Sequence, residues 1–242
     1  MNFSTINESS LHNTLKKLYS FQENGKAEVE LDGHVYDILT EDNTVIEIQT
    51  KNLSKLLPKL LDAIEKGHKV KVVHTVAINK TIILKDTAGN IISKRKSPKK
   101  GSIYSIFREL TGIYPILLNP NFSLDVLEIN ISEYRVRTEE KVQSRNKQRR
   151  FLKNWIKTNN KLDEILMTRH FCTKNDYLAL LPPELNKEFC AKDLTSALLA
   201  NKNLPASASW NSHLIIWVFV RMNLLQETQK QGRTHFYKIS ED

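Results

Sequence analysis

The chain has 242 residues, 40% of them hydrophobic, and 36 lysines and arginines against 27 aspartates and glutamates give a formal net charge of +9. That length suffices for one large or two modest cores, and the composition excludes a disordered or fibrous chain. Cys172 and Cys190 stand apart without C-x-x-C or Cys/His spacing, which argues against a disulfide framework and a zinc site. The start has no basic, apolar leader, and the longest apolar run, LIIWVFV at 214–220, is too short for a bilayer. The expectation is a cytoplasmic protein with no membrane partner.

Taken in chain order, Leu11, Leu15, Leu18 and Tyr19 recur at helical spacing and predict an opening helix from Glu8 to Phe21. KAEVELDGHVYDIL then alternates like strands, with Asp32-Gly33 suited to a tight hairpin turn, and TVIEIQT forms a further short strand. Leu53, Leu56, Leu57, Leu60, Leu61 and Ile64 predict a second helix, with Pro58 near its start and Gly67 at its stop. KVKVVHTVA, TIILKD and NIISKRK read as three strands, the last two joined by a turn at Thr87-Ala88-Gly89. A helix around SIYSIFRELTG and a strand at 123–132 complete an α/β domain over residues 1–138, a mixed central sheet flanked by helices.

Positive charge is concentrated in SKRKSPKKG at 93–101 and in 141–161, a stretch without an acidic residue. A polyanion is the natural partner. The cations expected to meet nucleic acid, DNA foremost, are Lys94, Arg95, Lys96, Lys99 and Lys100 in the first run. In the second they are Arg145, Lys147, Arg149, Arg150 and Lys153. Residues 139–161 read as a basic helical linker whose packed face is Phe151, Leu152, Trp155 and Ile156.

Residues 162–242 then read as a mainly helical winged-helix-like domain: three helical segments followed by a hairpin turning near Gly232. Ser207, Ser209, Asn211, Ser212 and Arg221 would face a groove of DNA, and Lys230, Arg233 and His235 would form a wing along the backbone. A winged helix also serves as a protein-binding module. Among the histidines, His74 reads as a buried structural group, His12 and His68 as surface groups without chemistry, and His213 as a phosphate or base contact or a solvated residue.

The most informative stretch is YDILTEDNTVIEIQTKN at 36–52. Glu47 and Gln49 share one strand face, as does Lys51 if the strand continues, and Asp37 can come opposite from the preceding strand. Two converging carboxylates suit a hard cation such as Mg²⁺ or Mn²⁺ and hence phosphodiester hydrolysis; the same pattern also arises on an ordinary wet strand face.

Asp37, then Glu47-x-Gln49 on an apolar strand, then an amphipathic helix and another strand resembles the PD-(D/E)xK nuclease superfamily, in its Glu-x-Gln variant. NESSLHNTLKKLYSF, DGHVYDIL and TVIEIQTKN also resemble an uncharacterised bacterial family of such proteins. The resemblance covers roughly the first 130 residues. It implies a restriction-endonuclease-like fold, metal binding by Glu8, Asp37 and Glu47, and water positioning by Gln49. Gln49 lacks the charge of the usual lysine, so Lys51 or Lys80 would supply it. Cutting two strands would favour a homodimer. The alternative reading is a non-catalytic nucleic-acid-binding or regulatory protein on a degraded nuclease scaffold.

Overall fold

The computed structural model describes residues 10–144, 147 and 149–241. The opening stripe forms α1 (Ser10–Gln22), which buries Leu11, Leu15 and Tyr19. β1 (Lys26–Leu31) and β2 (His34–Leu39) follow as a hairpin. Its two-residue turn pairs Leu31 with His34 and holds Asp32 and Gly33 at φ 54° and 82°, the left-handed region that an Asp-Gly turn tolerates. β3 (Thr44–Gln49) pairs antiparallel with β2. Through α2 (Leu57–Glu65) the chain crosses over to β4 (Lys69–Lys85), which lies parallel to β3. Pro58 lies in the first turn of α2, where its missing N–H costs little, and Gly67 at φ 87° ends it.

β4 is one continuous strand where two were expected. Asn79 does not turn the chain: the register shifts between Ala77 and Asn79, and Asn79 Nδ2 donates to Asn130 Oδ1 on the neighbouring strand at 2.9 Å. A bulge therefore replaces the expected break. β5 (Ile91–Lys96) returns beside the far half of β4 after a turn with Gly89 at φ 94°. The helix expected near residue 107 is short, a 3-10 turn at 103–106 and α3 (Phe107–Leu110).

β6 (Phe122–Val142) runs parallel to β4, and β7 (Lys153–Phe171) runs antiparallel to β6. The seven-stranded sheet has the order β1-β2-β3-β4-β6-β7, with β5 on β4. Two expectations are corrected here. Residues 153–161 are strand, not a basic helical linker, and the sheet continues past residue 138 to Phe171. Trp155, Ile156 and Thr158 favour extended backbone, and β6 offers a long antiparallel partner, Arg135 facing Lys157 and Arg137 facing Trp155, with irregularities on either side that shift the register. Cations are as well solvated on a strand face as on a helix.

The sheet is covered on both faces. Ile38, Ile46, Ile48, Val73, Leu127, Ile129 and Ile131 pack under α1. Val45, Val70, Val72, Leu124 and Val126 pack under α2, the 103–117 segment and the C-terminal helices. Two buried faces explain why neighbouring apolar residues on β4 and β6, Val72 with Val73 and Val126 with Leu127, are both buried though they point to opposite sides of the sheet.

The C-terminal region comprises α4 (Lys174–Leu178), β8 (Phe189–Cys190), α5 (Ala191–Ala200), α6 (Ser212–Arg221), β9 (Leu225–Gln231) and β10 (Thr234–Ile239). β8, β10 and β9 form a small antiparallel sheet, and the β9–β10 turn falls at Gly232 and Arg233 as expected. Thr173 and Asp176 form a reciprocal cap at α4, and Asp193 accepts from the Cys190 N–H at the start of α5. These helices share the core beneath α2: Phe107 meets Phe219 edge-on at 5.3 Å, Tyr114 meets Trp217 at 5.3 Å, and Tyr104 Oη donates to the Leu180 carbonyl at 2.9 Å.

That packing corrects the expected groove-facing set. Ser209, Asn211 and Ser212 are buried, and Asn211 Oδ1 accepts from Arg108 Nε at 3.3 Å, so Asn211 is a joint between α6 and the sheet region. Among the described residues, no helix is long and apolar enough to cross a membrane.

Candidate functional site

β2 and β3 pair only at Ile38–Ile46 and Leu39–Val45. At the next position, where the strands part, side chains take over from the ladder. The Asp37 N–H donates to Glu47 Oε1 at 3.3 Å, and the Ile48 N–H donates to Asp37 Oδ2 at 2.8 Å. The parting of two strands thus sets Asp37 and Glu47 side by side, each locked by the other strand.

Three basic side chains surround this pair. From α1, His12 Nε2 lies 3.3 Å from Asp37 Oδ2, and Lys16 Nζ lies 3.9 Å from Asp37 Oδ1 and 3.0 Å from Glu28 Oε1. From α2, Lys59 Nζ donates to Glu47 Oε1 at 2.5 Å and to the Val35 carbonyl at 2.6 Å, while resting over the Tyr36 ring. His12 was expected to be a surface group without chemistry; it is instead a direct neighbour of Asp37. His68 is also buried, against Asp32 at 2.8 Å. Lys16 and Lys59 were missed altogether. The available signal was position: His12 and Lys16 are four apart and border the Leu11/Leu15 stripe, and Lys59 borders Leu60.

The two carboxylates are held differently. Burial pushes Asp37 up, but the His12 bond and charge, the Ile48 N–H and Lys16 outweigh it and hold its carboxyl below the usual range. Burial, followed by the charge of Asp37, pushes Glu47 up, and Lys59 and the Asp37 N–H offset this only in part, so Glu47 is held above the usual range.

Gln49 ends β3 half-buried, and its carbonyl accepts from His74 Nδ1 at 2.7 Å. His74 is buried and hydrogen-bonded as expected, and burial pushes its pKa down, which keeps the ring neutral. The Gln49 side-chain amide has no hydrogen bond among the described residues. Lys51 lies beyond the end of the strand and is exposed, its charge felt by Lys157. Lys80 is six residues along β4 from His74, about 20 Å at strand rise, and is engaged with Glu133 at 3.0 Å. Neither lysine joins the carboxylate pair. Glu8 lies outside the described residues, and among those described no group of three or more His, Cys, Asp and Glu side chains is gathered to hold a metal.

The expected nucleic-acid-binding cations divide. Lys94, Arg95 and Lys96 are exposed along β5, and Lys99, Lys100, Lys147, Arg150, Lys153 and Arg233 are exposed elsewhere. Arg149 is a brace, donating to the Val142 and Trp155 carbonyls with its guanidinium 4.0 Å from the Trp155 ring centroid. Arg145 lies outside the described residues. The expected packed face of 151–156 is also revised: Phe151 and Leu152 are exposed.

Comparison with known proteins places the chain in a family. Residues 9–172 match the model of the Domain of unknown function (DUF8091), a span ending one residue after β7 and so taking in the large sheet. A relative described as an "Uncharacterized protein" from Treponema pallidum (strain Nichols) is 31% identical over 238 residues, covering 98% of this chain and 88% of that protein. No solved structure matches the chain. The chain belongs to the DUF8091 domain family.

Proposed function

We propose that the chain is a divalent-metal-dependent nuclease, acting on DNA foremost, built on the PD-(D/E)xK plan. The supporting topology is a helix, an antiparallel three-strand meander, a crossover helix and a parallel fourth strand. The observation that carries the reading is the meeting of Asp37 and Glu47 where β2 leaves β3, with Glu47 under-compensated in charge. Glu47 Oε2 accepts no hydrogen bond from any described residue, and Asp37 Oδ1 accepts none but has the Lys16 ammonium at 3.9 Å, so each carboxylate keeps a hard oxygen that Mg²⁺ or Mn²⁺ could take. The metal would supply charge at the phosphoryl oxygen and lower the pKa of an attacking water. Gln49, on the same strand face as Glu47, orients that water through its side-chain amide, and the exposed cations of β5 hold flanking phosphates. Three helices followed by a hairpin support a winged-helix-like reading of the C-terminal region as a second nucleic-acid contact, and a cytoplasmic setting suits such a substrate.

Cleavage assays on duplex, single-stranded and branched DNA and on RNA test this reading. Asp37→Ala and Glu47→Ala are expected to abolish Mg²⁺-dependent cleavage while salt-dependent binding persists, and cleavage retained in both overturns it. A second reading, a non-catalytic binder on a degraded scaffold, is favoured by the uncharged Gln49 and by the engagement of both carboxylates with His12, Lys16 and Lys59. It predicts nucleic-acid binding indifferent to Mg²⁺.

A further inference from the structure

α6 is apolar along almost its whole length, yet only one side is buried, by Ile215, Ile216, Val218 and Phe219. The outward stripe is His213, Trp217 and Arg221, spaced i, i+4 and i+8, and Trp217 is 40% exposed. This stripe forms one wall of a groove of about 940 Å³ that is completed by the start of α5 and by the β9–β10 hairpin. That volume lies within the range of small-ligand sites.

The lining is cationic. Lys192, Arg221 and Arg233 form no ion pair with a carboxylate among the described residues, although the charge of Asp193 reaches Lys192. The lining carboxylate, Glu227, is engaged by His235 Nδ1 at 2.7 Å, and nearby Asp193 accepts from the Cys190 N–H. Trp217 is pinned edge-on by Tyr114 at 5.3 Å, and the Arg221 guanidinium lies 5.4 Å from its ring centroid. A fixed aromatic ring beside unpaired cations matches a ligand that combines a flat heterocycle with a phosphate. A concave site of this size accepts one such unit, whereas duplex readout calls for a protruding helix.

We propose that the groove binds a nucleoside phosphate, with its base on Trp217 and its phosphate on Arg221, Lys192 and Arg233. The ligand is either a free mononucleotide or an unpaired or terminal nucleotide of a strand. The site does not depend on the carboxylate pair, so its failure is separable from failure of the nuclease reading.

The test is calorimetry on the full chain in Mg²⁺-free buffer. The probes are adenosine monophosphate, thymidine monophosphate, a ten-nucleotide single-stranded DNA and inorganic phosphate. Binding of a nucleotide or of the oligonucleotide is expected to weaken at least tenfold in Arg221→Gln and in Lys192→Gln, both exposed substitutions. Mononucleotide binding equal to that of the oligonucleotide identifies the free ligand as the source, and binding of the oligonucleotide alone identifies the strand. No binding by either, binding indifferent to both substitutions, or inorganic phosphate binding as tightly as the nucleotides overturns the proposal.

Discussion

Glu47 and Glu133 are both buried glutamates on the large sheet, and each has a lysine partner. Glu133 lies among three cations: Lys80 at 3.0 Å, Arg135 at 2.5 Å and Lys157 at 3.4 Å. Burial pushes it up, but Arg135, Lys80 and Lys157 overcome this and bring its pKa down to about 2. Glu47 has Lys59 alone, beside a second carboxylate, and is held above the usual range. The difference teaches where the fold has saturated a charge and where it has left one wanting. Glu133 ties β4, β6 and β7 together, while Glu47, unlike Asp37 beside it, is left with its charge only partly offset, and on the proposed reading a divalent cation would supply the rest.

The largest effect that would break this contrast lies at the pair itself. Glu47→Ala or Asp37→Ala should lower Mg²⁺-dependent cleavage by at least about a thousandfold, roughly 4 kcal/mol of transition-state stabilisation. Single-turnover rates on a labelled oligonucleotide read this directly.

At Glu133 the expected effect is on folding instead. A carboxyl with pKa about 2 when folded and about 4.5 when unfolded contributes stability that is complete above 4.5 and lost as pH falls towards 2. Glu133→Gln should therefore cost about 3 kcal/mol at pH 7 in urea unfolding, and the deficit should shrink below pH 4.5. A deficit constant from pH 7 to pH 3 would show that packing, not charge, holds the three strands.

Gln49→Lys places an ammonium on the Glu47 face of β3 and should raise the cleavage rate about tenfold, or ~1.4 kcal/mol. Lys59→Met has the smallest expected effect. By removing the cation that competes for Glu47 it should tighten Mg²⁺ binding several-fold, about 1 kcal/mol, measured by calorimetry. Weaker binding in that variant would show Lys59 to be part of the metal site rather than its rival.

Much of the site-bearing half was legible in the sequence because its signals are local. The Leu11/Leu15/Tyr19 stripe, the Asp32-Gly33 turn, the β3 alternation and the α2 pattern each settle within a dozen residues, and together they bring Asp37 to Glu47. What escaped depends on distant partners. Residues 153–161 become strand because β6 extends far enough to pair with them. Asn211 is buried because Arg108, a hundred residues earlier, meets it across the joint between α6 and the sheet region. Lys59, on the crossover helix itself, matters through Glu47 on the strand before it, which helical periodicity does not reveal. The groove on α6 was half legible: His213, Trp217 and Arg221 share one stripe, but the hairpin that closes over them is brought there by tertiary packing.

Whether Asp37 and Glu47 bind a divalent cation is decided by isothermal calorimetry with Mg²⁺ and Mn²⁺ on the wild-type chain and on Glu47→Ala, with and without a short DNA whose phosphates complete a weak site. Binding is expected in the wild type, weakening as pH falls through the raised range of Glu47, with protons released on binding and the signal lost in Glu47→Ala. Absence of binding in both proteins, even with DNA present, would contradict that expectation and leave the β2–β3 hairpin as a scaffold.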